Sequence, residues 1–141
     1  MVTAVRDVYG EDTAGTSHVS DAQILRFLNV AQRELCSTAP ILLTSATAST
    51  VASQEAYSIP GDYSKIYSVF LYTSGGTQQK LWPMRMQDRD PTQSTGTPTN
   101  YYVWGINVSG SNSFQLSLNP IPSASGSSDL RIFYKQIPAD M

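Results

Sequence analysis

Side chains able to ligate a metal or attack an electrophile are scarce in this sequence, which has a single histidine, His18, and a single cysteine, Cys36. One of each cannot build a zinc site of the usual Cys/His kind, a Cys-Xaa-Xaa-Cys redox pair or an intramolecular disulfide. His18 has many serines for company, yet no Gly-Xaa-Ser-Xaa-Gly elbow holds one of them as a nucleophile, so His18 reads as a polar-loop residue. Asp88 and Asp90 flank Arg89. Carboxylates two positions apart can grip a divalent ion or move protons only when their surroundings shift or pair their charges. With Arg85 and Arg89 beside them, a solvated loop of paired charges is expected instead. Gly75-Gly76 and Gly105 lack the spacing of a dinucleotide loop, and no Gly-Lys-Ser/Thr closes a phosphate loop, so these are turn glycines. The sequence thus predicts no catalytic residue, no cofactor and no metal site, and hence no enzyme.

Lys80, Trp82, Arg85 and Arg89 form the one basic and aromatic cluster. Lys80, Arg85 and Arg89 are therefore the candidates for facing DNA, although Asp88 and Asp90 nearly neutralise them. Asn107-Val108-Ser109 fits a glycosylation acceptor, a match with meaning only in an exported protein.

Those candidates must be carried by about one domain's worth of chain, since 141 residues bury roughly 68% of the surface exposed when unfolded. A net charge of -2 argues against capture of nucleic acid by bulk charge. The charged fraction is 14%, against about 25% in ordinary domains. With 40% hydrophobic residues and abundant Ser and Thr, the surfaces should be polar, β-prone and suited to meeting protein. The start lacks the basic-then-apolar order of a secretory signal, and apolar runs as short as Val69–Tyr72 cannot span a bilayer, so a soluble protein is expected.

Two helices open the chain. Val2, Val5, Val8 and Tyr9 fall at helical spacing before Gly10, and Ser20-Asp21-Ala22-Gln23 has the pattern of a capping box heading a helix over about 20–36. In that helix Ile24, Leu28, Ala31 and Leu35, widened by Leu25 and Phe27, predict the buried stripe, with Gln23, Arg26, Val30 and Arg33 opposite. Asn29, beside the stripe, needs a hydrogen-bond partner. Beyond Pro40 the period becomes that of strands. Residues 44–51 are small or branched with neither face strongly apolar, which predicts an edge strand of weak register. Such an edge invites a neighbouring subunit, and Thr44, Ser45, Thr47, Ser49 and Thr50 are the candidate interface residues. Tyr57 and Ile59 precede a Pro60-Gly61-Asp62 turn, and 65–72 is apolar on both faces, as in a central strand covered on both sides.

Ser74-Gly75-Gly76 predicts a hairpin tip leading to 79–82, and 100–106 should pair with 113–118 across Ser109-Gly110-Ser111-Asn112. In the last strand Leu130, Ile132 and Tyr134 point inward and Arg131 and Lys135 outward. The fold class is therefore α+β, a short N-terminal helical part over 1–40 followed by an antiparallel β-sandwich or barrel of about seven strands over 41–141, packed as one unit.

The segment from Ser20 to Leu35, with its Leu28-Asn29-Val30-Ala31 core, resembles the capped helix near the start of the head-to-tail adaptor (connector) proteins of tailed bacteriophages, of the tail tubular type. The likeness continues through Tyr57-Ser58-Ile59-Pro60-Gly61-Asp62, Gly96-Thr97-Pro98, Leu118-Asn119-Pro120 and Ile132-Phe133-Tyr134, in the same order as in that family. It implies a non-enzymatic virion protein of the neck, assembled in the host cytoplasm. Such a protein forms a closed head-to-tail ring of about twelve copies. Its partners would be the portal, tail or nozzle proteins, and DNA in transit, with no membrane. Longer relatives continue into further helices. Two other readings fit the same residues: another tail or baseplate component, or a carbohydrate-binding sandwich with Trp82, Trp104 or Tyr101 facing a sugar.

Overall fold

A computed structural model describes residues 2–9, 19–39, 41–73, 75–89, 92, 94–108 and 111–140. His18, Gly10, Pro40, Ser74, Asp90, Ser109 and Gly110 lie outside them. By its internal contacts the chain divides into two compact units, Met1–Leu42 with Ile137–Met141, and Leu43–Gln136.

The first unit carries α1 (Val2–Tyr9) and α2 (Asp21–Thr38). The capping box forms as its residue types require: the Gln23 N–H donates to Ser20 Oγ at 3.3 Å, and the Ser20 N–H donates to Gln23 Oε1 at 2.9 Å. At the other end Ala39 leaves the helix in an extended conformation, its N–H donating to the Leu35 carbonyl at 3.0 Å. Arg33 pairs with Asp140 at 2.5 Å.

The buried face of α2 differs from the expected stripe. Ile24 and Cys36 are buried and Leu25, Leu28, Asn29 and Gln32 half-buried, whereas Phe27 is 67% exposed, Leu35 is 61% exposed and Ala31 is exposed too. At about 100° per residue, the covered arc is rotated by about 70° from the one predicted. The apolar residues of this helix extend around more of its circumference than one covered face. A hydrophobicity pattern cannot tell which part of so wide an arc finds a partner within the chain.

The second unit is built from β1 (Leu43–Ala48), β2 (Ala56–Ser58), β3 (Tyr63–Tyr72), β4 (Gln78–Pro83), β5 (Thr95–Gly96), β6 (Asn100–Val108), β7 (Ser111–Asn119), β8 (Ile121–Pro122) and β9 (Leu130–Gln136). Seven strands form one sheet in the order β1-β9-β3-β4-β6-β7-β2, and β5 and β8 form a small parallel pair. The β3–β4 hairpin turns at Gly76, whose φ of 76° is a left-handed value that glycine adopts without penalty.

Two features depart from an antiparallel sandwich. The chain between β4 and β6 is long enough to cross over and return in the same direction, so Trp82 pairs with Asn100 and Pro83 with Tyr101 in parallel. That pairing also makes the two halves one continuous sheet, curled as a half-barrel.

One core lies inside the curl. In register across four strands, Ala46, Ile132, Val69 and Leu81 face it, and Leu130 and Leu71 do so one step on. Tyr57, Tyr101, Leu116 and Leu118 close it from the other half. Each fully buried Leu or Ile stabilises the fold by about 1.5–3 kcal/mol. The short connection from β1 to β2 is tied to this core: the Val51 N–H donates to Tyr57 Oη of β2 at 3.1 Å. Tyr57 Oη in turn donates to the Gln54 carbonyl at 3.0 Å.

The Pro60-Gly61-Asp62 turn is held similarly, with Tyr134 Oη and Gln136 Nε2 donating to Asp62 at 3.2 and 2.6 Å. Thus the Tyr57–Asp62 motif ties strand ends together. Burial raises the phenol pKa of Tyr57, Tyr101, Tyr102 and Tyr134 above its ordinary value, and at Tyr134 the hydrogen bond to Asp62 adds to it.

Candidate assembly interface

The strand expected at a sheet edge is at one. Among the described residues β1 pairs with β9 alone, which leaves its other side as a sheet edge. Its register is nonetheless definite, from Leu43 opposite Lys135 to Ala48 opposite Leu130, because Ala46 and Ala48 pack on the core. Leu43, Ser45, Thr47 and Ser49 face outward and are exposed, and Thr44 is half-buried.

Thr50 turns inward. It is 3% exposed, with its N–H and Oγ1 donating to the Asp129 carboxylate at 2.7 and 2.5 Å. Its carbonyl accepts from the Gly126 N–H at 3.0 Å. Glycine suits position 126, since a Cβ there would stand 2.1 Å from Asp129 Oδ2 and displace the carboxylate.

The three candidate DNA-facing cations separate. Arg89 binds Glu55 at 3.2 Å, and Glu55 also accepts from Tyr102 Oη, so Arg89 belongs to an internal network. Its expected partners were Asp88 and Asp90, but Asp88 lies exposed on a short helical turn, Met86–Asp88. Arg85 is exposed at the start of that turn. Lys80 lies on β4 with its Nζ 5.0 Å from the centre of the Trp82 ring, and Trp82 is 60% exposed.

Around Lys80 the sheet has a feature the sequence reading missed. β3 was expected to be covered on both sides, but part of its outer face is exposed: Tyr67 is exposed and Phe70 half-buried. Phe70 lies in register between Arg131 and Lys80, and beyond Arg131 comes Thr47 of the edge strand. Arg131 sits 5.2 Å from the Tyr72 ring, Lys65 5.9 Å from the Tyr67 ring, and Phe133 meets Phe70 edge to face at 5.8 Å. None of β1, β3, β4 and β9 contains Asp or Glu. Exposed cations stacked on aromatic rings therefore share this face, and the four strands that form it supply no carboxylate. Lys135, expected on the same face, is buried. The absence of Asp and Glu from these strands can be read from the sequence strand by strand, whereas the linear cluster around Arg85 and Arg89 does not show which side chains share a face with Lys80.

Elsewhere the chemistry is spare. Trp104 donates its Nε1–H to Ser117 Oγ at 2.7 Å, and Tyr101 is 6% exposed in the core, which removes it from any sugar-facing surface. A cavity of about 340 Å³ lies among Thr73, Thr97, Pro98, Pro122 and the 123–129 loop. Its one carboxylate, Asp129, already accepts from Thr50. Among the described residues no group of three or more His, Cys, Asp or Glu could hold a metal ion, and no helix is long and apolar enough to cross a membrane.

Over residues 1–141 the sequence matches the SU10 adaptor protein family. The chain belongs to that family. It is a family of phage head-to-tail adaptors, and the present member is thus a phage structural adaptor protein. No curated protein matches the sequence significantly. In this SU10-family adaptor the outward side of β1, much of the outer face of β3, β4 and β9 and one side of α2 are solvent-exposed.

Proposed function

We propose that this adaptor forms a closed ring joining the portal of the phage head to the tail, with DNA passing through its centre. The observation that carries the reading is the family match along the whole chain. The open β1 edge supports it, because a cyclic assembly needs a head-to-tail interface between two different surfaces. Leu43, Ser45, Thr47 and Ser49 are small or apolar and exposed, so another backbone can approach. The protein acts by binding and needs no bond-making chemistry. Light scattering and electron microscopy of purified protein, with and without its portal ring, test the reading. Ring particles of about twelve copies seated on the portal are expected. Failure to bind the portal in either state would contradict it.

A further inference from the structure

Two surfaces of this chain are apolar and exposed, one bearing cations and the other a carboxylate on its ridge with Arg26 further round. One is the outer face of β3, β4 and β9, carrying Lys65, Lys80 and Arg131 on Tyr67, Trp82 and Tyr72, with no Asp or Glu in any of its strands. The other is the uncovered side of α2. There Phe27, Ala31 and Leu35 follow one another at four-residue spacing, with Val30 beside them. Glu34, seven residues after Phe27, shares the line of that ridge and has no ion-pair partner among the described residues. Arg33, further round, is already held by Asp140.

We infer that the cation-bearing outer face of β3, β4 and β9 receives the Phe27–Leu35 ridge of α2 from a second copy of this chain, with Glu34 placed among Lys80 and Arg131. The inference rests on the ring reading and names its subunit contact. Charge decides between occupants. Glu34 on the ridge is a carboxylate facing a surface whose exposed side chains are the cations Lys80 and Arg131, so a neighbouring copy is itself a complementary partner.

Dimensions agree as well. Eighteen helical residues extend about 27 Å. Ten strand residues extend about 33 Å, and the four adjacent strands span about 14 Å, which is room for one helix lying along the sheet. Aromatic rings and a long apolar ridge would exclude water from the contact, while the Glu34 to Lys80 and Arg131 pairing fixes its direction. The two surfaces differ, so the contact is head-to-tail and continues from copy to copy. It also adjoins the β1 edge through Thr47, in register with Arg131.

The test places a photoreactive benzophenone amino acid at Phe27, an exposed site, in full-length protein mixed from isotopically heavy and light copies. Heavy-to-light cross-links to peptides within 63–83 or 130–136 are expected. Lys80→Glu with Arg131→Glu, both exposed positions, should lower their yield at least tenfold, and Glu34→Lys on the partner copy should restore it. Cross-links to other segments, or none at any protein concentration up to the solubility limit, would overturn the contact. So would a sub-micromolar, steeply salt-dependent affinity for duplex DNA that the Lys80→Glu, Arg131→Glu pair abolishes, since nucleic acid would then be the occupant. A ring seen at the neck with cross-links elsewhere sinks this contact alone, whereas a neck without this chain sinks the ring reading.

Discussion

At the scale of single residues, the folded chain depends on a few buried polar contacts more than on any reactive group. Asp129 is the clearest case, accepting from both the N–H and the hydroxyl of Thr50 while Gly126 passes close by. Gly126→Ala must displace that carboxylate, so it should cost about 1–3 kcal/mol in a denaturant melt. Gly61→Ala meets nothing within 4 Å and should leave the melt nearly unchanged. Equal effects would mean that the Thr50 contact contributes little. The buried tyrosines give a pH dependence with a definite sign. Their phenols are held protonated in the folded state above the ordinary value of 10.0, so above that pH the unfolded chain binds fewer protons than the folded one and stability falls. The melting temperature should not vary with pH through these groups below about pH 9 and should drop above about pH 10, with tyrosinate absorbance rising as the protein unfolds.

At the scale of elements, α2 is the place where pattern and packing disagree. Ile24 is 7% exposed while Leu35 lies mostly in solvent, so Ile24→Asp should destabilise the protein by about 3–5 kcal/mol and Leu35→Asp by less than about 1 kcal/mol. Circular dichroism melts compare them, and matching losses would show that the ridge is covered after all. The capping box at Ser20, the edge position of β1 and the hairpin partners of β6 and β7 were legible because each is fixed by local residue types or by period-two alternation. Which side of α2 is covered was not, because a helix with apolar residues around most of its circumference leaves that choice to tertiary packing. The parallel join of β4 to β6 was hidden for a similar reason, since a crossover is decided by where the 84–99 connection runs and has no periodic signature. On β9, Lys135 looked outward by alternation, which the strand obeys, but alternation does not say what else covers that position.

At the scale of the whole molecule, the charge distribution matters more than the charge total. A chain at -2 with strands β1, β3, β4 and β9 free of Asp and Glu is polarised, and polarised surfaces on identical subunits favour head-to-tail contacts over two-fold ones. Association of purified protein should therefore weaken as salt is raised from low to physiological levels, by a factor that the Lys80→Glu, Arg131→Glu variant abolishes. Sedimentation across a salt series reads this directly, and association that strengthens with salt would assign the contact to apolar burial alone. A ring between head and tail requires the protein at the virion neck. Single-particle averaging of the virion neck is the most direct measurement: a closed ring of this half-barrel fold between portal and tail is the result expected, and a neck fully accounted for without this chain is the result that would contradict it.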